Sequence, residues 1–117
     1  MELDIQQMSS SADMASQLLK ALANPHRLMI VCQLVDTERS VGELARLLGL
    51  RDSTVSQHLA LLRKDGLVAA RRDGQTIWYT ISSGPARALL ETLYRVYCAA
   101  PNSAAVDPRR PDMTKTR

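Results

Sequence analysis

Apolar residues recur along this chain with a helical period over most of its length and alternate over one short stretch. From about Ser11 to Ala23 the side chains of Ala12, Ala15, Leu18, Leu19 and Leu22 keep the helical spacing, and Met14 and Ala21 add apolar positions beside it. A first helix buried on more than one side is expected. Asn24 followed by Pro25 restarts the chain, with Asn as N-cap and Pro at the first helical position. Leu28, Met29, Val31, Cys32 and Val35 then carry a second helix to about Val35. After a polar connection at 36–39, Ser40 and Glu43 form the capping box of a third helix that Gly49 closes. Asp52 is the expected N-cap of a fourth helix over roughly 53–65, ended by Gly66.

Two strand-like runs, 67–72 and 75–82, flank Asp73-Gly74, the two-residue signal of a type I′ hairpin. Ile77, Tyr79 and Ile81 take one face of the second strand while Thr76, Trp78 and Thr80 take the other, so protein is expected over the first face, with Trp78 anchoring the hairpin. Ser83-Gly84-Pro85 opens a last helix whose apolar residues, among them Ala86, Leu89, Leu90, Leu93, Val96 and Tyr97, spread around much of its circumference. Such a helix needs two partners: its own domain and a second protomer, where it pairs with the first helix. The expected organisation is a flexible N-terminus over 1–10, one domain over 11–100 and a disordered tail over 101–117, which is nearly devoid of apolar residues.

From 40 to 66 the pattern is two short amphipathic helices joined by a tight turn containing Gly49, a helix-turn-helix signature. Ser53, Thr54, Ser56, Gln57 and His58 crowd the first turns of its second helix, where a helix lying in the major groove presents side chains to base edges and phosphates. Gln57 is the strongest candidate base reader. With the hairpin as a wing, the fold class is mainly α with a small β-hairpin, a winged helix-turn-helix. Arg71, Arg72 and Gln75 at the wing tip are candidates for phosphate or minor-groove contact, and Arg63 and Lys64 either touch phosphates or solvate the helix end.

Composition agrees with one small domain: 117 residues, 45 % apolar, but only 3 % aromatic and no Phe, so the core must be aliphatic and gains from burial against a second copy. A net charge of +3 and a pI near 9.2 favour a polyanionic partner, although Arg109, Arg110, Lys115 and Arg117 place part of that charge in the tail. The first residues lack the basic and apolar regions of a signal peptide and no apolar run approaches a membrane span, so a cytoplasmic protein is expected. In that reducing compartment Cys32 and Cys98 are not expected to form a constitutive disulfide, which leaves them as core residues, ligands or reactive thiols.

The order of these elements, with Ala-Asn-Pro-His-Arg-Leu at 23–28, Ser-Val-Gly-Glu-Leu at 40–44, Ser-Gln-His-Leu at 56–59 and Gly-Leu-Val at 66–68, resembles the ArsR/SmtB family of dimeric bacterial winged-helix repressors over about 11–98. Within it the chain looks like the BigR/SqrR/HlyU branch, which places one cysteine in the second helix and one in the last. Cys32 and Cys98 stand there, within Met-Ile-Val-Cys-Gln-Leu-Val and Leu-Tyr-Arg-Val-Tyr-Cys. The resemblance implies a homodimeric repressor on an inverted-repeat operator, released when reactive sulfur species or oxidants link the two thiols by a di- or polysulfide bridge. Arg51 departs from the family, which usually has a capping Ser or Thr there.

Other classes fit less well. A metal-responsive repressor has only Cys32, Cys98, His26 and His58 to draw on, without a Cys cluster in the third helix or a ligand pair in the last, so neither metal nor cofactor is expected. An enzyme would need a phosphate loop, a nucleophile with its base or paired carboxylates, and none is present. A winged helix used only for protein contact would leave the polar face of the fourth helix merely solvated. The cysteines likewise have a plain reading as small buried hydrophobes, and any thiolate at Cys98 would have to draw on a local cation such as Arg95.

Overall fold

The computed structural model describes residues 4–98. Its elements run α1 (Ile5–Leu22), α2 (Pro25–Cys32), α3 (Val41–Leu48), α4 (Asp52–Lys64), β1 (Val68–Asp73), β2 (Thr76–Ile81) and α5 (Gly84–Tyr97), the winged helix-turn-helix order. None of the described helices is long and apolar enough to cross a membrane.

Local chemistry sets most boundaries. The Asn24 side chain accepts from the Arg27 amide at 3.1 Å with Pro25 in the first turn, and Ser40 and Glu43 satisfy each other's backbone amides at 3.2 and 3.3 Å. Gly49 ends α3 in the left-handed conformation at φ 67°, a geometry that favours a residue without Cβ and turns the chain sharply into α4.

Four boundaries differ from the sequence expectation. The helix α1 starts at Ile5 rather than near Ser11, so residues 5–10 of the expected flexible N-terminus are helical, capped by the Asp4 carboxylate on the Gln6 amide at 2.9 Å. α2 stops at Cys32 because the next turn tightens: Leu34 and Val35 donate to the carbonyls three residues back, at 3.0 and 3.4 Å. Arg51, not Asp52, is the N-cap of α4 and has no side-chain cap bond; Asp52 is the first helical residue, where its charge complements the helix dipole. The hairpin register pairs Asp73 with Thr76, so the turn is Gly74-Gln75, and the single positive φ, 64° at Gly74, fits a type II′ turn rather than type I′. The expected tail at 101–117 lies outside the described residues.

The core is aliphatic. Ile30, Val31 and Leu34 of the α2 region, Leu44 of α3, Val55, Leu59 and Leu62 of α4, and Leu90 of α5 are its largest fully buried side chains, and Leu67, Val68 and Ile81 close it under the wing. One face of the hairpin is therefore covered at its base, as the alternation of β2 requires, while Trp78 on the other face is half-buried. Arg39 extends this sheet by one residue, exchanging backbone hydrogen bonds with Tyr79 at 3.1 and 2.8 Å. By contrast α1, expected to be buried on two sides, buries only Ala21 and Leu22 within the chain and leaves Met14 75 % exposed.

Candidate nucleic-acid interface and cysteine pair

Helical geometry divides α4 into three stripes. Val55, Leu59 and Leu62 point into the core, and Ser53, Ser56, Gln57, Arg63 and Lys64 are exposed on the opposite side. Residues three and four apart share a face, so Ser53, Ser56 and Gln57 form one surface with Ala60, Arg63 and Lys64 beyond it. The side chains of Ser53, Ser56 and Gln57 make no hydrogen bond to any described residue. A groove lined by Ser56, Ala60, Arg63, Lys64 and Tyr79 separates this surface from the wing.

Thr54 and His58 lie on the third stripe, on the flank of the helix, and are half-buried. The His58 ring meets His26 of α2 edge-on, with centroids 5.8 Å apart at 73°, and its Nδ1 is buried without a partner. His58 therefore packs α4 against α2 instead of joining the exposed polar surface expected for it. Burial lowers its pKa, and the positive charge of Arg27 and the neighbouring His26 lower it further.

Since the fold lowers the His58 pKa below its ordinary 6.5, the unfolded state binds the proton more readily and stability falls as pH drops through that value. Urea unfolding at pH 7.5 and 5.5 should show a smaller loss for His58→Gln than for the wild type. Equal losses would place the acid sensitivity elsewhere.

At the wing, Arg71 and Arg72 alternate onto opposite faces of β1. The Arg71 guanidinium is clasped by Glu38, with Nε 3.3 Å from Oε2 and Nη2 on Oε1, and this hydrogen bonding raises its pKa further. Among the described residues the Arg72 side chain makes one hydrogen bond, Nη1 to the Gly74 carbonyl at 3.4 Å, and Gln75 is exposed in the turn. Glu38 escaped the sequence reading because no local pattern links it to a residue 33 positions away.

The two cysteines are free thiols on neighbouring elements. Cys32 ends α2, half-buried against the core, and Cys98 is the exposed C-cap of α5, its amide donating to the Tyr94 carbonyl at 2.8 Å. Burial pushes the Cys32 thiol up, and the charge of a Cys98 thiolate within electrostatic reach pushes it further. Arg95, the cation one turn before Cys98, donates to Thr92 at 3.3 Å. Among the described residues no three His, Cys, Asp or Glu side chains gather as a metal site would require.

A helix that buries one apolar stripe, exposes an unbonded polar one and is flanked by a basic hairpin defines the class: a winged helix-turn-helix DNA-binding regulator. Residues 24–70 match the bacterial regulatory protein, arsR family, model, and the chain belongs to that family. It is similar to the transcriptional activator HlyU of Vibrio cholerae, with 50 % identity over 84 % of this chain and 91 % of the relative. The structure of reduced HlyU from that organism superposes with a TM-score of 0.76, at 52 % identity over 80 % of this chain and 98 % of HlyU. The transcriptional repressor BigR of Xylella fastidiosa gives a TM-score of 0.78 at 40 % identity, over 84 % of this chain and all of BigR (100 %). A homodimeric winged helix-turn-helix domain of Mycobacterium bovis gives 0.67 at 32 % identity, over 82 % and 89 % of the two chains. These relatives are regulators, not enzymes.

Proposed function

We propose that this chain is a cytoplasmic, homodimeric transcriptional repressor that binds an inverted-repeat operator and lets go when reactive sulfur species or oxidants link Cys32 to Cys98. The exposed, unbonded stripe of Ser53, Ser56 and Gln57 over the buried Val55, Leu59 and Leu62 carries the DNA-binding half of this reading. Thr54 at the stripe's edge and Arg72 and Gln75 on the wing add backbone contacts, and Arg71 joins them once released by Glu38. His58 acts from behind, setting the helix against α2.

Dimerisation through α1 and α5 follows from the apolar side chains that a single chain leaves in water: Met14, Leu19, Tyr94 and Val96 are 75, 57, 60 and 54 % exposed. A two-fold axis then spaces the two α4 helices about 34 Å apart, one turn of DNA. The arrangement of Cys32 and Cys98 on α2 and α5 supports the sensing half, because a bridge between them would tie the dimerisation helix to the element that braces α4 through His26.

Selection from a random-sequence DNA pool followed by gel retardation tests the DNA-binding half. Recovered sites should be inverted repeats, with retardation falling steeply with salt. Gln57→Ala should weaken the best site by roughly 5- to 150-fold, corresponding to about 1–3 kcal/mol for a base contact, with unchanged circular dichroism. Retention of full affinity would remove Gln57 from the interface, and no salt-sensitive retardation of any fragment would overturn DNA binding itself.

A further inference from the structure

Two adjacent arginines on the wing are in different electrostatic states. Among the described residues Arg72 donates only to a carbonyl, whereas Arg71 presents both donors of one guanidinium edge, Nε and Nη2, to Glu38 and has the Asp73 carboxylate 4.0 Å from its Nη1. That is the bidentate geometry with which arginine grips a phosphate. Resting on the DNA-binding reading above, we infer that Glu38 is an internal stand-in for a DNA phosphate, holding Arg71 out of the wing's contact with the duplex and so setting the affinity of the protein for DNA.

The carboxylate does not depend on Arg71 for its place. Its neighbour Arg39 is fixed to β2 by two backbone hydrogen bonds to Tyr79 and donates from Nε to the Gln33 carbonyl at 3.2 Å. The strand-like backbone at Arg39 lies on the edge of β2 away from β1, so Arg71 reaches across the sheet to a preset anion. The pair is also too exposed to matter much for stability, with side chains 53 % and 36 % accessible. What it does determine is charge: beside two carboxylates, Arg71 adds no net positive potential to the wing, and only by leaving Glu38 can it neutralise a phosphate.

Glu38→Gln should therefore tighten binding of the full-length protein about three- to tenfold for operator and random duplex alike, because a phosphate contact is blind to sequence. It should also steepen the log–log salt dependence by about 0.9 for each wing engaged. Adding Arg71→Gln to the Glu38→Gln variant should cancel the whole gain. The salt series is run by fluorescence anisotropy on labelled duplex, with thermal unfolding confirming that the variants are folded. Unchanged or weaker binding by Glu38→Gln, alongside normal salt-sensitive binding by the wild type, overturns the stand-in alone. Absence of binding by both proteins overturns the DNA reading with it.

Discussion

Replacing Leu59 with alanine is expected to destabilise the protein by about 2–5 kcal/mol, a large part of the stability of a domain this small. Leu59 is fully buried in the middle of α4 and shares the core with the equally inaccessible Leu44, Val55 and Leu62. No Phe is available to swing into the space, and the neighbours are aliphatic side chains fixed on short helices, so the cavity would collapse only in part. DNA binding would fall with the fold, since Ser53, Ser56 and Gln57 are positioned by the stripe that Leu59 anchors. Urea unfolding at one fixed protomer concentration measures this, with Ser53→Ala as the exposed comparison expected within about 0.5 kcal/mol of wild type. A loss below 1 kcal/mol for Leu59→Ala would mean that the α4 core does not hold the domain together.

Elements whose ends carry their own chemistry were legible in the sequence. Asn24-Pro25, the reciprocal Ser40 and Glu43 cap and the left-handed Gly49 each satisfy or release backbone groups locally, so their positions follow from residue type alone. The start of α1 was harder to read, because the polar residues Gln6, Gln7 and Ser9 to Ser11 surround Ile5 and Met8, which continue the helical spacing of Ala12 and Ala15 back to the Asp4 cap. The bare cap at Arg51 was not legible: Asp52 is the better capping residue by type, but the extended residue that precedes the helix is Arg51, at ψ 149°, and Asp52 is the first helical residue.

The candidate site divides in the same way. Five polar residues between Ser53 and His58 cannot share one face when each step turns the helix by about 100°. Applied strictly, that period separates Thr54 and His58 from Ser53, Ser56 and Gln57, and the structure places them so. The Glu38 clasp on Arg71 had no such signal, since it depends on how the 36–39 segment joins the sheet.

Cys32→Ser is expected to leave DNA binding intact while abolishing its loss on treatment with inorganic polysulfide, where the wild type should lose at least tenfold in affinity. The two thiols have unequal parts. Cys98 is exposed, whereas Cys32 is half-buried and burial pushes its thiol up, which leaves it less of the nucleophilic thiolate. On the proposed function Cys98 is therefore expected to react first: its thiolate would attack a sulfur of the polysulfide, displace a shorter polysulfide or hydrosulfide, and keep the transferred sulfur as a persulfide chain. The Cys32 thiolate would then attack that chain and expel its terminal sulfur as hydrosulfide, so that the two thiols would be oxidised by two electrons and the polysulfide reduced. Inserted sulfur lengthens the reach beyond the ~6.8 Å Cα separation that a simple disulfide tolerates. The bridge would join the end of α2, whose His26 packs against His58 of α4, to the end of α5, whose Tyr94, Val96 and Tyr97 are exposed. Intact mass spectrometry follows both steps: Cys32→Ser should stop at added sulfur on Cys98, Cys98→Ser should take up sulfur slowly, and dithiothreitol should restore the wild type to DNA binding. If Cys32→Ser still released DNA as the wild type does, modification of Cys98 alone would be the switch and the bridge would have no part in it.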